Sequence, residues 1–80
     1  MKTYIYFIDG YKLQISEGDV LITIHPRSDT YQVVHTVEDE GNGLCIPSLL
    51  DSLDGAKWFL FQKAPNETYP VTAILKIVNE

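Results

Sequence analysis

A chain of 80 residues with eleven acidic side chains, six basic ones and a formal net charge of −5 has the length of a single small domain, residues 1–80. That charge disfavours direct binding to nucleic-acid phosphates or to anionic membrane surfaces, which need Lys and Arg. The longest apolar run is about five residues, against the ~20 needed to span a bilayer. The single cysteine, Cys45, excludes an intramolecular disulfide.

The start of the chain carries no long apolar run followed by a small-residue cleavage site, so no signal peptide is expected and a reducing cytoplasm is the expected setting. The composition, 45% hydrophobic and 21% charged, is that of a folded chain rather than a disordered one. A domain this small buries only about 60–65% of its unfolded surface, so every core side chain counts.

Residues 3–8 form the first expected strand. Tyr4-Ile5-Tyr6-Phe7-Ile8 is apolar or amphipathic on both faces, where a half-wet strand would alternate. Asp9-Gly10 then signals a tight hairpin, read as a type I′ turn. Residues 11–15 alternate cleanly, with Leu13 and Ile15 opposite Lys12 and Gln14. A turn at Ser16-Glu17-Gly18-Asp19 leads to a third strand, residues 20–25, with Val20, Ile22 and Ile24 assigned to the core side. Pro26 stops it, because proline cannot donate to a ladder, and Pro26-Arg27-Ser28-Asp29 reads as a type I turn. Residues 30–37, rich in β-branched side chains, complete an antiparallel meander.

The acidic loop Glu38-Asp39-Glu40-Gly41-Asn42-Gly43 follows, then a short strand at Leu44-Cys45-Ile46. Residues 47–55 carry the marks of a short helix, with Ser48 and Asp51 in capping-box positions, Gly55 as its stop, and Leu49, Leu50 and Leu53 on one face. Strands are expected at 57–63 and 72–78, with Leu60, Ala73, Leu75 and Ile77 facing inward together with Val33. The order β-β-β-β-α-β-β predicts a mainly β fold bordering on α+β. Its form would be a small, strongly bent antiparallel sheet or partly open barrel of about six strands, with one short helix between strands four and five.

Trp58-Phe59-Leu60-Phe61 repeats the two-sided apolar pattern of the first strand. Strands of this kind sit between two covering layers, and a helix of about six residues cannot cover both. Half of this surface is therefore expected to meet a partner or a second copy. Sequence alone leaves open whether Phe59 and Phe61 or Trp58 and Leu60 face the core. The candidate partner-binding residues are Tyr4, Tyr6, Trp58, Phe59 and Phe61 as anchors, and Glu38, Asp39 and Glu40 as the steering loop.

No pattern in the chain identifies a reaction. Cys45 with His35 is the one nucleophile–base pairing available, and nothing in the spacing brings the two together. His25 and His35 lack the close spacing of metal ligands, and the acidic loop lacks the alternating oxygen ligands of a calcium loop. No cofactor, metal or catalytic residue is expected. The reading is a non-enzymatic interaction module that binds or inhibits a larger protein, or associates with itself as a homodimer. Its alternatives are an acidic nucleic-acid mimic, with Glu17, Asp19, Asp51 and Asp54 extending the acidic loop into a stripe, and a barrel that holds a small ligand in its open end. Tyr11 and Tyr31 are expected to pack across strands.

Overall fold

The computed structural model describes residues 2–80. Among the described residues, seven strands form two antiparallel sheets. In chain order these are β1 (Thr3–Phe7), β2 (Lys12–Ile15), β3 (Val20–Ile24) and β4 (Gln32–Thr36), then helix α1 (Ile46–Leu53), β5 (Trp58–Phe61), β6 (Tyr69–Pro70) and β7 (Ile74–Asn79). A 3-10 turn, Val71–Ala73, precedes β7. One sheet runs β2-β1-β7 and the other β4-β3-β5-β6. The fold is thus a small mainly β domain with the helix between the fourth and fifth strands. Its two sheets are not closed into a barrel.

The core lies between the sheets. β1 sends Thr3, Ile5 and Phe7 inward, β2 sends Leu13 and Ile15, β3 sends Leu21 and Thr23, and β5 sends Phe59 and Phe61. Aromatic rings tie the layers together. Phe7 of the three-stranded sheet stacks on Tyr69 of the other at 4.6 Å between centroids, and Phe59 meets Phe61 edge-on at 6.1 Å. Val37, Cys45, Leu49 and Leu53 complete the core, with α1 packed against β3 and β7.

Several expectations are corrected. β3 faces the opposite way: Leu21 and Thr23 are buried, while Val20, Ile22 and Ile24 are half-exposed on the outer side. Alternation cannot fix the parity of a strand that is apolar on both faces. The same parity puts Leu60 outside and Phe59 and Phe61 inside. Leu75 does not face the core. The register of β7 on β1 slips between Tyr6 and Phe7, leaving Leu75 as the extra residue of a bulge, 64% exposed, while Ile74 takes the inward position.

The Asp9-Gly10 hairpin is not a type I′ turn. Only Gly10 has positive φ (+92°), Gly10 N–H donates to the Phe7 carbonyl, and Asp9 Oδ1 accepts from Tyr11 N–H. The helix begins earlier than expected, with Cys45 at its N-cap and Pro47 in its first turn, so Leu44-Cys45-Ile46 is not a strand. Ser48 does not cap it; its Oγ accepts from Glu38 N–H at 3.2 Å and so ties the acidic loop to the helix. Leu50 points to solvent rather than joining Leu49 and Leu53. Gly55, at φ +75°, takes the left-handed position expected just after the helix. The short β6 escaped notice because Pro70, which has no N–H, fits only an edge strand.

Candidate functional site

The outer face of the four-stranded sheet is apolar and partly exposed. In register, Ile22 lies between Val34 of β4 and Leu60 of β5, and Ile24 pairs with Trp58. Val20 extends the strip at one end, beside Thr36. Val34 is 67% exposed and Trp58 37%, and the others are half-exposed. Gln32, Thr36 and Gln62 border the strip with polar side chains.

The outer face of the three-stranded sheet is finished differently. Tyr4 and Tyr6 stand there half-exposed. The Lys12 ammonium lies 4.1 Å from the Tyr4 ring centroid, and that of Lys76 lies 4.9 Å from the Tyr6 ring. The Tyr6 hydroxyl donates to Glu80, whose other carboxylate oxygen is 3.4 Å from Lys12. These contacts hold the Glu80 carboxyl below its ordinary pKa, chiefly through the Tyr6 hydrogen bond, and raise that of Lys12. Tyr4 and Tyr6 are thus sheathed by charged partners from their own sheet.

Of the expected anchors, Phe59 and Phe61 are core side chains at 0% and 1% exposure. No partner can reach them without unfolding the sheet, so they leave the set. Trp58 remains, joined by Ile22, Val34 and Leu60, which sequence reasoning missed. The signal that could have found them is the contrast between the two faces of β3. Leu21 and Thr23 carry the one polar side chain that a core can satisfy with neighbouring histidines, while Val20, Ile22 and Ile24 are uniformly aliphatic.

In the acidic loop, Asp39 is spent on structure: its Oδ1 accepts from Gly41 and Gly43 N–H at 2.7 and 3.1 Å. Glu38 and Glu40 remain exposed and line a polar cavity of about 410 Å³ with His35, Ser48, Asp51 and Ser52. The longer acidic stripe is interrupted, because Asp19 is paired with Lys63 at 2.8 Å. Tyr11 stacks on Phe7 and Tyr69 rather than on Tyr31, which is exposed.

The two histidines meet through a buried hydroxyl. Thr23 Oγ1 lies 2.8 Å from His25 Nε2 and 2.9 Å from His35 Nε2. His25 Nδ1 faces the Gly55 carbonyl at 3.2 Å, and a carbonyl only accepts, so Nδ1 carries the proton. In neutral His25, Nε2 must then accept from the Thr23 hydroxyl, whose oxygen accepts from His35 Nε2–H. The chain runs His35 to Thr23 to His25 to Gly55, fully donor-to-acceptor. Burial, then the neighbouring His25, pulls the His35 pKa below its ordinary 6.5. His35 lines the acidic cavity, whereas His25 lines a separate one of about 420 Å³ with Pro26, Arg27, Ser28, Gly55 and Lys57.

Cys45 lies in the core against a different, smaller cavity and makes no hydrogen bond to His35 among the described residues. Burial first, then the charges of Asp39, Glu17 and Asp19, raise its thiol pKa, against a lowering hydrogen bond from Thr3. Among the described residues no group of three or more Cys, His, Asp or Glu side chains could hold a metal ion, and no helix is long and apolar enough to cross a membrane.

Fold and surface together define a two-sheet β domain with one apolar outer face. Comparison with protein-family models, curated proteins and solved structures returns no match.

Proposed function

We propose that this chain is a non-enzymatic interaction module whose contact surface is the outer face of the four-stranded sheet. One observation carries the reading: Ile22, Val34, Leu60 and Trp58 form a contiguous apolar strip, rimmed by polar residues, on the side of the sheet away from the core. Apolar patches of this kind on small soluble domains mark interaction sites, and a half-exposed Trp is a strong anchor type. Glu38 and Glu40, exposed just after β4, supply negative charge that would steer a basic partner. Tyr4 and Tyr6 become a secondary surface, since their own lysines already occupy the rings.

The test compares capture of a protein partner by the wild-type chain and by Leu60→Glu and Trp58→Ala, with folding followed by circular dichroism. The reading expects both variants to fold and to lose the partner. Retained binding in both would refute it.

A second reading rests on the cavity lined by Arg27, Lys57 and Ser28, in which two of the six basic side chains face the same space. A ligand there would be a small anion. Inorganic phosphate should then raise the melting temperature of the wild type and leave Arg27→Ala unmoved.

A further inference from the structure

The two sheets have four edge strands: β2, β7, β4 and β6. Exposed edges present unpaired N–H and C=O groups that invite another strand, and proteins blunt them with charge, proline, bulges or short length. Three of these edges are blunted. β6 has two residues, one of them Pro70. β7 carries Lys76 and the bulge at Leu75. β2 carries Lys12, and the Lys63 ammonium caps its Gln14 carbonyl at 2.7 Å.

β4 has none of these devices. Gln32-Val33-Val34-His35-Thr36 contains no Lys, Asp, Glu or Pro, and its register on β3 is unbroken. His25 N–H donates to the Tyr31 carbonyl and Val37 N–H to the Asp19 carbonyl, which fixes the parity of the ladder. Antiparallel pairs alternate, so Val33 and His35 bond to β3, while Gln32, Val34 and Thr36 aim their N–H and C=O groups away from the sheet. The side chain of Val34 lies on the apolar outer strip.

We propose that β4 pairs with β4 of a second copy of this chain, antiparallel about a two-fold axis at Val34, which joins the two four-stranded sheets into one. Charge selects the direction, and the self-complementary register selects the occupant. One end of β4 leads from a turn that bears both Arg27 and Asp29, and the other leads into Glu38, Asp39 and Glu40. Antiparallel pairing sets this charge-balanced turn beside the partner's acidic loop, whereas parallel pairing would lay acidic loop against acidic loop. The contact is self-complementary, as a two-fold interface requires: Gln32 faces the partner's Thr36, and Val34 faces the partner's Val34. Main-chain bonds supply affinity in such strand addition, and alternate side chains supply register. The inference goes beyond the interaction-module reading, because it uses the β4 edge and not the outer face; the pairing doubles the apolar strip without covering it.

Sedimentation equilibrium combined with amide hydrogen exchange tests the pairing. The wild type should dimerise, and Val34→Lys, which sets two ammonium groups against each other at the axis, should raise the dimer dissociation constant at least about tenfold. Protection of the Gln32, Val34 and Thr36 amides should appear at high concentration and vanish on dilution, while Val33 and His35 stay protected at both. Should Val34→Lys not fold, Arg27→Glu changes only an exposed turn. It should weaken the dimer at low salt, and adding Glu38→Lys and Glu40→Lys should restore it. A wild type that is monomeric at every concentration, a dimer indifferent to both variants, or amide protection without the alternation each overturns the pairing. A monomeric wild type that still captures a protein through Leu60 would overturn the pairing alone, and loss of both would overturn the module as well.

Discussion

The outer faces of the two sheets differ in how they are completed. On the three-stranded sheet, Tyr4 and Tyr6 are met by Lys12, Lys76 and Glu80, so aromatic surface, cation and carboxylate satisfy one another. On the four-stranded sheet, Ile22, Val34 and Leu60 are met in register only by one another. Both strands read alike as runs of large apolar residues. What separates them is the neighbour in register. Lys12 and Lys76 stand opposite Tyr6, but Val34 and Leu60 stand opposite Ile22.

That contrast can be sharpened from the inside outward. Phe59→Ala should destabilise the fold by about 3–5 kcal/mol, a large share of the ~5–15 kcal/mol that holds a small domain together, whereas Trp58→Ala should cost far less. Chemical denaturation measures both, and equal losses would mean that β5 has no outer face. Thr23→Val removes the hydroxyl that both histidines share and should cost about 1–3 kcal/mol.

Acid should probe the same cluster. The folded His35 pKa is depressed, so below pH 6.5 the unfolded chain binds the proton more readily. The stabilisation is fully present above pH 6.5 and falls as the pH drops towards the folded value. Melting temperatures should follow that trend in the wild type and lose part of it in His35→Gln.

On the outer strip, Leu60→Glu should shift stability by no more than about 0.5–1 kcal/mol and abolish binding of a hydrophobic dye, while Tyr6→Ser leaves dye binding unchanged. Dye binding lost in Tyr6→Ser would reverse the contrast. The smallest effect is expected in Tyr6→Phe, where Glu80 loses its main hydrogen bond and should titrate closer to the ordinary 4.5, as NMR can follow.

Element order was legible in the sequence because turn chemistry marks it. Gly10, Gly18 and Gly55 all take positive φ at the breaks they signal, and Pro26 closes β3. β2, with its strict alternation, also announced its inner face. β3 and β5 did not, since a strand apolar on both sides has no periodic signal to read. Their facing is settled by packing, where Phe7 must meet Phe59 and Tyr69 across the layers. The candidate surface inherits that ambiguity. Sequence left open which half of β5 faces outward, and the structure buries Phe59 and Phe61. The bulge at Leu75 and the capping of Gln14 by Lys63 are long-range events that no local window contains.

The hydrogen-bonded histidines give the domain an internal messenger. A proton arriving at His25 Nε2, beside Arg27 and Lys57, forces the Thr23 hydroxyl to turn away. The hydroxyl hydrogen then turns to the Val33 carbonyl at 3.5 Å, while its oxygen goes on accepting from His35 Nε2–H at 2.9 Å. A charge on one ring is thus passed to the other through the hydrogen of a single buried hydroxyl.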